Sequence, residues 1–195
     1  MKGPAGKSTE FERHPEGAYP AVCCRIIDSG THWNEEKQKD ERKILFGFET
    51  NQAMKSGDFA GELMLVFATY NFSMFQNSLL CKFIESWRGK RFESQKEADN
   101  FDLSKCLGRA AYLSIAHNGK YTNIQSIMPL PQGMPTPPEP KVTILIDQES
   151  MDQNEVNKLS EKMKARVLSA KERKAPEKTG FNEVEPLPFD DDIPF

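Results

Sequence analysis

Apolar and polar residues alternate in short runs over the first two thirds of the chain, then give way to proline and charge. Residues 18–27 (Ala-Tyr-Pro-Ala-Val-Cys-Cys-Arg-Ile-Ile) are apolar and strand-prone, and the turn-forming Asp28-Ser29-Gly30 is expected to end that strand. The charged stretch 34–42 after Trp33 predicts an exposed hairpin or loop across residues 31–43. In 44–50, Ile44, Phe46 and Phe48 share one strand face, and Leu45, Gly47 and Glu49 the other. A glycine inside such a strand marks a bend or a close approach. Residues 63–71 read as a third strand. The period then changes: Leu79, Leu80, Phe83, Ile84 and Trp87 recur at helical spacing, with Asn77 or Ser78 to cap the start and Gly89 to close the end. Trp87 falls on that stripe and is expected in the core. Ser94 and Glu97 form a capping-box pattern for a short second helix, and residues 102–107 add another turn. Residues 109–117 and 120–130 are two strands joined by Asn118-Gly119, a strong hairpin signal.

Three strands, a helical connection and a hairpin make a mainly β fold with a helical insertion. That order is the arrangement of an OB-fold, a five-stranded Greek-key barrel that commonly binds oligonucleotides. Six prolines in residues 129–140 make an extended spacer. Residues 142–146 can add an edge strand, and Val156, Leu159, Met163, Val167 and Ala170 predict an amphipathic C-terminal helix over 152–174. The expected organisation is a flexible arm (1–17), a barrel head (18–131), a Pro-rich linker (132–140), a strand and helix segment (141–174) and a disordered acidic tail (175–195).

Charge sharpens this picture. The 195 residues carry a net charge of -3, but residues 175–195 hold six acids against Lys178, a net of -5, which leaves +2 for residues 1–174. A mildly basic body with an acidic tail is the polarity expected if the body meets phosphates and the tail meets proteins. No apolar run approaches the ~20 residues of a membrane span, and the start lacks the apolar stretch of a signal peptide, so a cytoplasmic protein without membrane association is expected. Cys23, Cys24, Cys81 and Cys106 contain no CxxC spacing and read as buried thiols.

The final residues, Phe189, Asp190, Asp191, Asp192, Ile193, Pro194 and Phe195, combine an acidic run for an Arg/Lys cluster with an apolar end for a pocket with a basic rim. This stretch resembles the acidic C-terminal tip of bacterial single-stranded-DNA-binding proteins. The motifs 85–92 (Glu-Ser-Trp-Arg-Gly-Lys-Arg-Phe), Phe101-Asp102-Leu103, Leu107-Gly108, 117–121 and 127–131 are similar to those of phage-encoded single-stranded-DNA-binding proteins of OB type. The resemblance implies a protein of phage replication, recombination or repair that coats single-stranded DNA and recruits replication and recombination enzymes through its tip, in the bacterial host cytoplasm. The body lacks the usual strand sequences of the bacterial proteins, so their tetramer is not carried over and a homo-oligomer is left open.

Binding single strands without sequence preference requires a basic groove and aromatic faces for stacking. The stacking candidates are Trp33, Phe46, Phe48, Tyr70, Phe72, Tyr112 and Tyr121. The phosphate candidates are Arg25, Arg42, Lys43, Lys82, Arg88, Lys90, Arg91, Arg109 and Lys120. Phe46 and Phe48 share a face, so both pack or both stack. Trp33 and Tyr121 are the least core-like. With no nucleophile elbow, phosphate loop or metal-ligand pattern, a non-enzymatic protein without cofactor is expected. The competing expectation is an adaptor or decoy that keeps the tip and uses its barrel to bind protein.

Overall fold

The computed structural model describes residues 12–173. The tip and most of the N-terminal arm lie outside the described residues. The protein is mainly β, an open sheet of six strands with a few short helices.

β1 (Gly17–Asn34) runs straight through the expected turn at Asp28-Ser29-Gly30. Those residues form a bulge: the register against β2 (Lys39–Ala53) shifts between Asp28 and Thr31, Gly30 adopts φ 75°, and its N–H donates to Asp28 Oδ1 at 2.9 Å. Turn-forming residues serve a bulge equally well when pairing resumes beyond them, as Thr31↔Arg42 does here. The reversal comes later, at residues 35–38, so of the hairpin or loop expected across residues 31–43 the structure has the hairpin, the distal half of a long one.

β3 (Leu63–Asn71), β4 (Ala110–Asn118) and β5 (Tyr121–Met128) complete the order β3-β2-β1-β4-β5. These pairings are antiparallel. Along one edge β1 serves two neighbours. Its start pairs with β4 from Gly17↔Ile115 to Val22↔Ala110, and Arg25–Ile27 pairs in parallel with β6 (Ile144–Ile146), the added strand. β3 and β5 approach within 8 Å without a hydrogen-bonded ladder, so the sheet is not closed among the described residues.

α1 (Leu79–Arg88) packs on the inner face. Ser78 caps it by accepting from Cys81 N–H, and Gly89 at φ 68° ends it, its N–H reaching back to Glu85 and Ser86. Its stripe of Leu80, Phe83, Ile84 and Trp87 meets Ile44, Phe46 and Phe48 of β2 and Leu113 and Ile115 of β4. α2 (Gln95–Asp99) starts at Ser94, whose side chain accepts from Glu97 N–H.

The single helix expected over 152–174 is two, α3 (Gln153–Asn157) and α4 (Glu161–Leu168). Val156, Leu159 and Val167 from this region pack with Ile27, Ile144 and Ile146, and with Leu45 on the outward parity of β2. One straight helix would present a stripe to one surface; the break at Ser160 lets both pieces reach the sheet. Buried Gln148 secures the segment, its Nε2 donating to Val167 O (3.1 Å) and Asp28 O (3.3 Å). All four cysteines are free and buried. Burial pushes the thiols of Cys24 and Cys106 up to about 11 and about 12, which keeps them protonated and unreactive at neutral pH. No described helix is long and apolar enough to cross a membrane.

Candidate nucleic-acid interface

The two faces of β2 and β3 decide which aromatics are available. Phe46 and Phe48 are both fully buried, which corrects their candidacy as stacking platforms. Phe48 lies 5.2 Å from Trp87 and Phe46 5.5 Å from Phe83, ring centre to ring centre, so the shared face packs rather than stacks. Tyr70 leans on Phe83 at 4.7 Å, half-buried, and burial pushes its hydroxyl up to about 12. Phe72 is covered by the Arg42 guanidinium at 4.8 Å. Tyr112 is half-buried between Pro20 and Met128 on the neighbouring strands.

The outward face carries a different constellation. Arg25 on β1 pairs with Gly47 on β2, and Gly47 with Phe67 on β3, so the three form one row across three strands. Gly47 is required there because a Cβ would lie 2.9 Å from Phe67 Cε1 and 3.0 Å from Arg25 Cβ. The missing side chain lets the Phe67 ring lean over β2 toward Arg25, whose guanidinium carbon is 5.9 Å from the ring centre. Phe67 remains 41% exposed. Arg25 Nε is buried with no hydrogen-bond partner among the described residues. An exposed ring offers a stacking face, and an adjacent guanidinium with unused donors offers a phosphate contact. Glu49 lies one row away, opposite Val22 and Leu65; burial pushes its carboxyl up, and Lys141 and Arg25 draw it back.

Phe67 is absent from the sequence-derived candidates because residues 63–71 read only as a strand rich in Leu, Val, Phe and Tyr, with no face assigned to the core. Its parity is opposite to that of buried Met64, Val66 and Ala68, and that alternation, with a glycine opposite, is the signal that locates it.

Exposed rings also stand at two hairpins. Trp33, 48% exposed, sits near the β1–β2 turn, where it lines a cleft of about 380 Å³ with Lys43 and Arg166 and with the carboxylates of Glu35, Glu36 and Glu41. Tyr121, 63% exposed, follows the β4–β5 turn, with Lys120 Nζ 5.3 Å from its ring. Arg13 donates to Gly119 O at 3.0 Å beside it.

The cations are distributed unevenly. Arg42 is ion-paired to buried Asp28, and Lys43 lies 3.2 Å from Glu41, so both arrive at the surface largely neutralised. Arg88 rests on the rings of Phe92 and Phe101 and pairs with Glu97 at 3.4 Å. Lys90 pairs with Glu93 at 3.0 Å, while Lys82, Arg91 and Arg109 are exposed along α1 and the approach to β4. The sequence-derived site residues therefore do not form one patch on the outward row.

Glu41 organises the distal hairpin. Its carboxylate accepts from Lys37 Nζ and Asn34 Nδ2, both at 2.8 Å, and these bonds with Lys43 pull its pKa down to about 2. A carboxyl depressed in the fold stabilises it above the ordinary 4.5 and loses that contribution as pH falls from 4.5 toward about 2. The expected result is a shift in Trp33 emission across that window, ahead of buried Trp87, and absent in Glu41→Gln. Coincident changes at both tryptophans would instead mean global unfolding.

Among the described residues no group of His, Cys, Asp and Glu is placed to hold a metal ion. Compared with known proteins, the chain matches no family model, no curated protein and no solved structure.

Proposed function

We propose that the protein binds single-stranded DNA without sequence preference on the outward face of β1, β2 and β3. In this reading the open sheet is an OB-type barrel with its β3–β5 seam unlatched. The supports are the strand order, the placement of α1 between β3 and β4, and the approach of β3 to β5. The observation that carries the proposal is the row Arg25, Gly47 and Phe67, an exposed ring and an under-used guanidinium held in register by a glycine whose replacement would push the ring aside. Trp33 and Tyr121 with Lys120 supply further stacking surfaces at the hairpins. The role this serves is that of a phage replication or recombination protein, non-catalytic, with residues 189–195 recruiting partner enzymes.

A second reading, an adaptor that binds protein through the same body, is favoured by the neutralisation of Arg42 and Lys43. Titration with a mixed-sequence oligonucleotide separates the two. Single-strand binding is expected to weaken with salt by a log–log slope of about -0.7 for each phosphate neutralised, with weaker binding to duplex. Absence of binding at low salt would leave the adaptor.

A further inference from the structure

A cavity of about 330 Å³ lies where the end of α1, the 3-10 turn Leu103–Cys106, the start of β4 and the chain after β5 meet. It is separate from the outward row of Arg25, Gly47 and Phe67, none of which lines it. Trp87, Phe101 and Leu130 give it an apolar wall, Arg88, Lys105 and Arg109 give it three cations, and no carboxylate lines it. The wall carries two other polar side-chain groups. The Trp87 N–H already donates to Ala110 O at 2.9 Å, and the Cys106 thiol is buried and held protonated.

Arg88 is pinned in place. Its guanidinium carbon lies 4.3 Å from the Phe92 ring centre and 5.1 Å from that of Phe101, and its Nη2 reaches Glu97 at 3.4 Å. Its Nη1 is buried with no acceptor among the described residues. A buried cationic N–H in that state is costly, and a carboxylate seated beside Arg88 would supply the acceptor. Because the side chain is already held, little ordering entropy opposes the contact. Lys105 and Arg109 stand exposed at the mouth and add long-range attraction for an anion.

We propose that this cavity binds a small aromatic monocarboxylate, its ring against Trp87, Phe101 and Leu130 and its carboxylate on Arg88, with Lys105 and Arg109 at the mouth. The lining selects that class in three ways. Its charge is one-sided, so the ligand is an anion. Its volume, at the lower end of ligand pockets, admits about one ring with a short side arm. Its wall has no free hydroxyl or amide side chain to pair the sugar and base edges of a nucleotide, whose buried polar groups would go unsatisfied. A bound ligand bridges α1, the 3-10 turn and the chain leaving β5, so occupancy also stabilises the fold by mass action.

Titration of phenylacetate into the ¹⁵N-labelled full chain tests this without nucleic acid, so its failure is distinct from failure of the DNA-binding reading. The chain has two tryptophans, Trp33 and Trp87, so two indole N–H signals report where the ligand sits, and Trp33→Phe assigns them. The Trp87 signal is expected to move and to saturate at about millimolar ligand, with the Trp33 signal unchanged and the thermal midpoint raised. Phenylacetamide, of the same shape but uncharged, should bind at least about tenfold more weakly. Lys105→Gln combined with Arg109→Gln should weaken phenylacetate binding by about three- to tenfold. The amide comparison stands even if that variant folds poorly. Equal binding of acid and amide, an equal response to acetate, or unchanged binding in the folded double variant would overturn the proposal. So would tighter binding of thymidine 5′-monophosphate at the same signal, movement of Trp33 instead, or no saturation by about 20 mM phenylacetate.

Discussion

Phe67→Ala is expected to weaken binding of a mixed-sequence oligonucleotide by roughly 5- to 150-fold, the effect of losing one base stack at about 1–3 kcal/mol. The thermal midpoint should move little, because the ring is 41% exposed and packs on β2 only where Gly47 admits it. Arg25→Ala should also weaken binding, and its effect should not add to that of Phe67→Ala, since cation and ring contact one another. The salt slope should drop with Arg25→Ala and not with Phe67→Ala, because only the guanidinium meets phosphate. Gly47→Ala offers a third arm. It adds no charge and removes no ring, yet forces Phe67 away from Arg25, so reduced affinity there attributes binding to the geometry of the row. A Phe67→Ala variant that unfolds earlier while binding normally would return the ring to a packing role.

Phe48→Ala is expected to lower stability by about 3–5 kcal/mol, as large-to-small changes at fully buried aromatic positions do. The ring is sealed between Phe83 and Trp87, at 6.2 Å and 5.2 Å, and collapse around the void is opposed by α1, anchored at Ser78 and Gly89. Chemical denaturation measures the loss directly. Under conditions where the variant remains folded, its affinity for single strands should lie within about twofold of the parent, since Phe48 points away from the proposed interface. Loss of affinity with unchanged stability would mean that the inner face binds the bases.

These two variants also mark what alternation along the strands reveals. The parities of Phe46 and Phe48 against Gly47 are plain in the sequence; which parity faces the core is set by the position of α1, a tertiary fact. The apolar stripe of α1 and its caps, the Asn118-Gly119 hairpin and the strand at 144–146 were legible because local chemistry and packing agree there. The continuation of β1 past Asp28 was not, since Asp-Ser-Gly suits a turn and a bulge alike, and the choice came from pairing with β2. The break at Ser160 was hidden by an apolar spacing that continues across it. Candidate cations were identifiable as cations but not as paired ones: Asp28, 14 residues from Arg42, reaches it across the β1–β2 pairing, and Glu41 meets Lys43 two residues along the same face of β2, a strand where a hairpin or loop was expected.

The central claim is that bases rest on the outward face of the first three strands. Ultraviolet crosslinking of an oligonucleotide carrying 5-iododeoxyuridine to the full chain, followed by peptide mapping, tests it most directly. Covalent attachment at Phe67, with additional attachment at Trp33 or Tyr121, is the predicted result. Attachment confined to the α1 side of the molecule, or none at low salt, would contradict it.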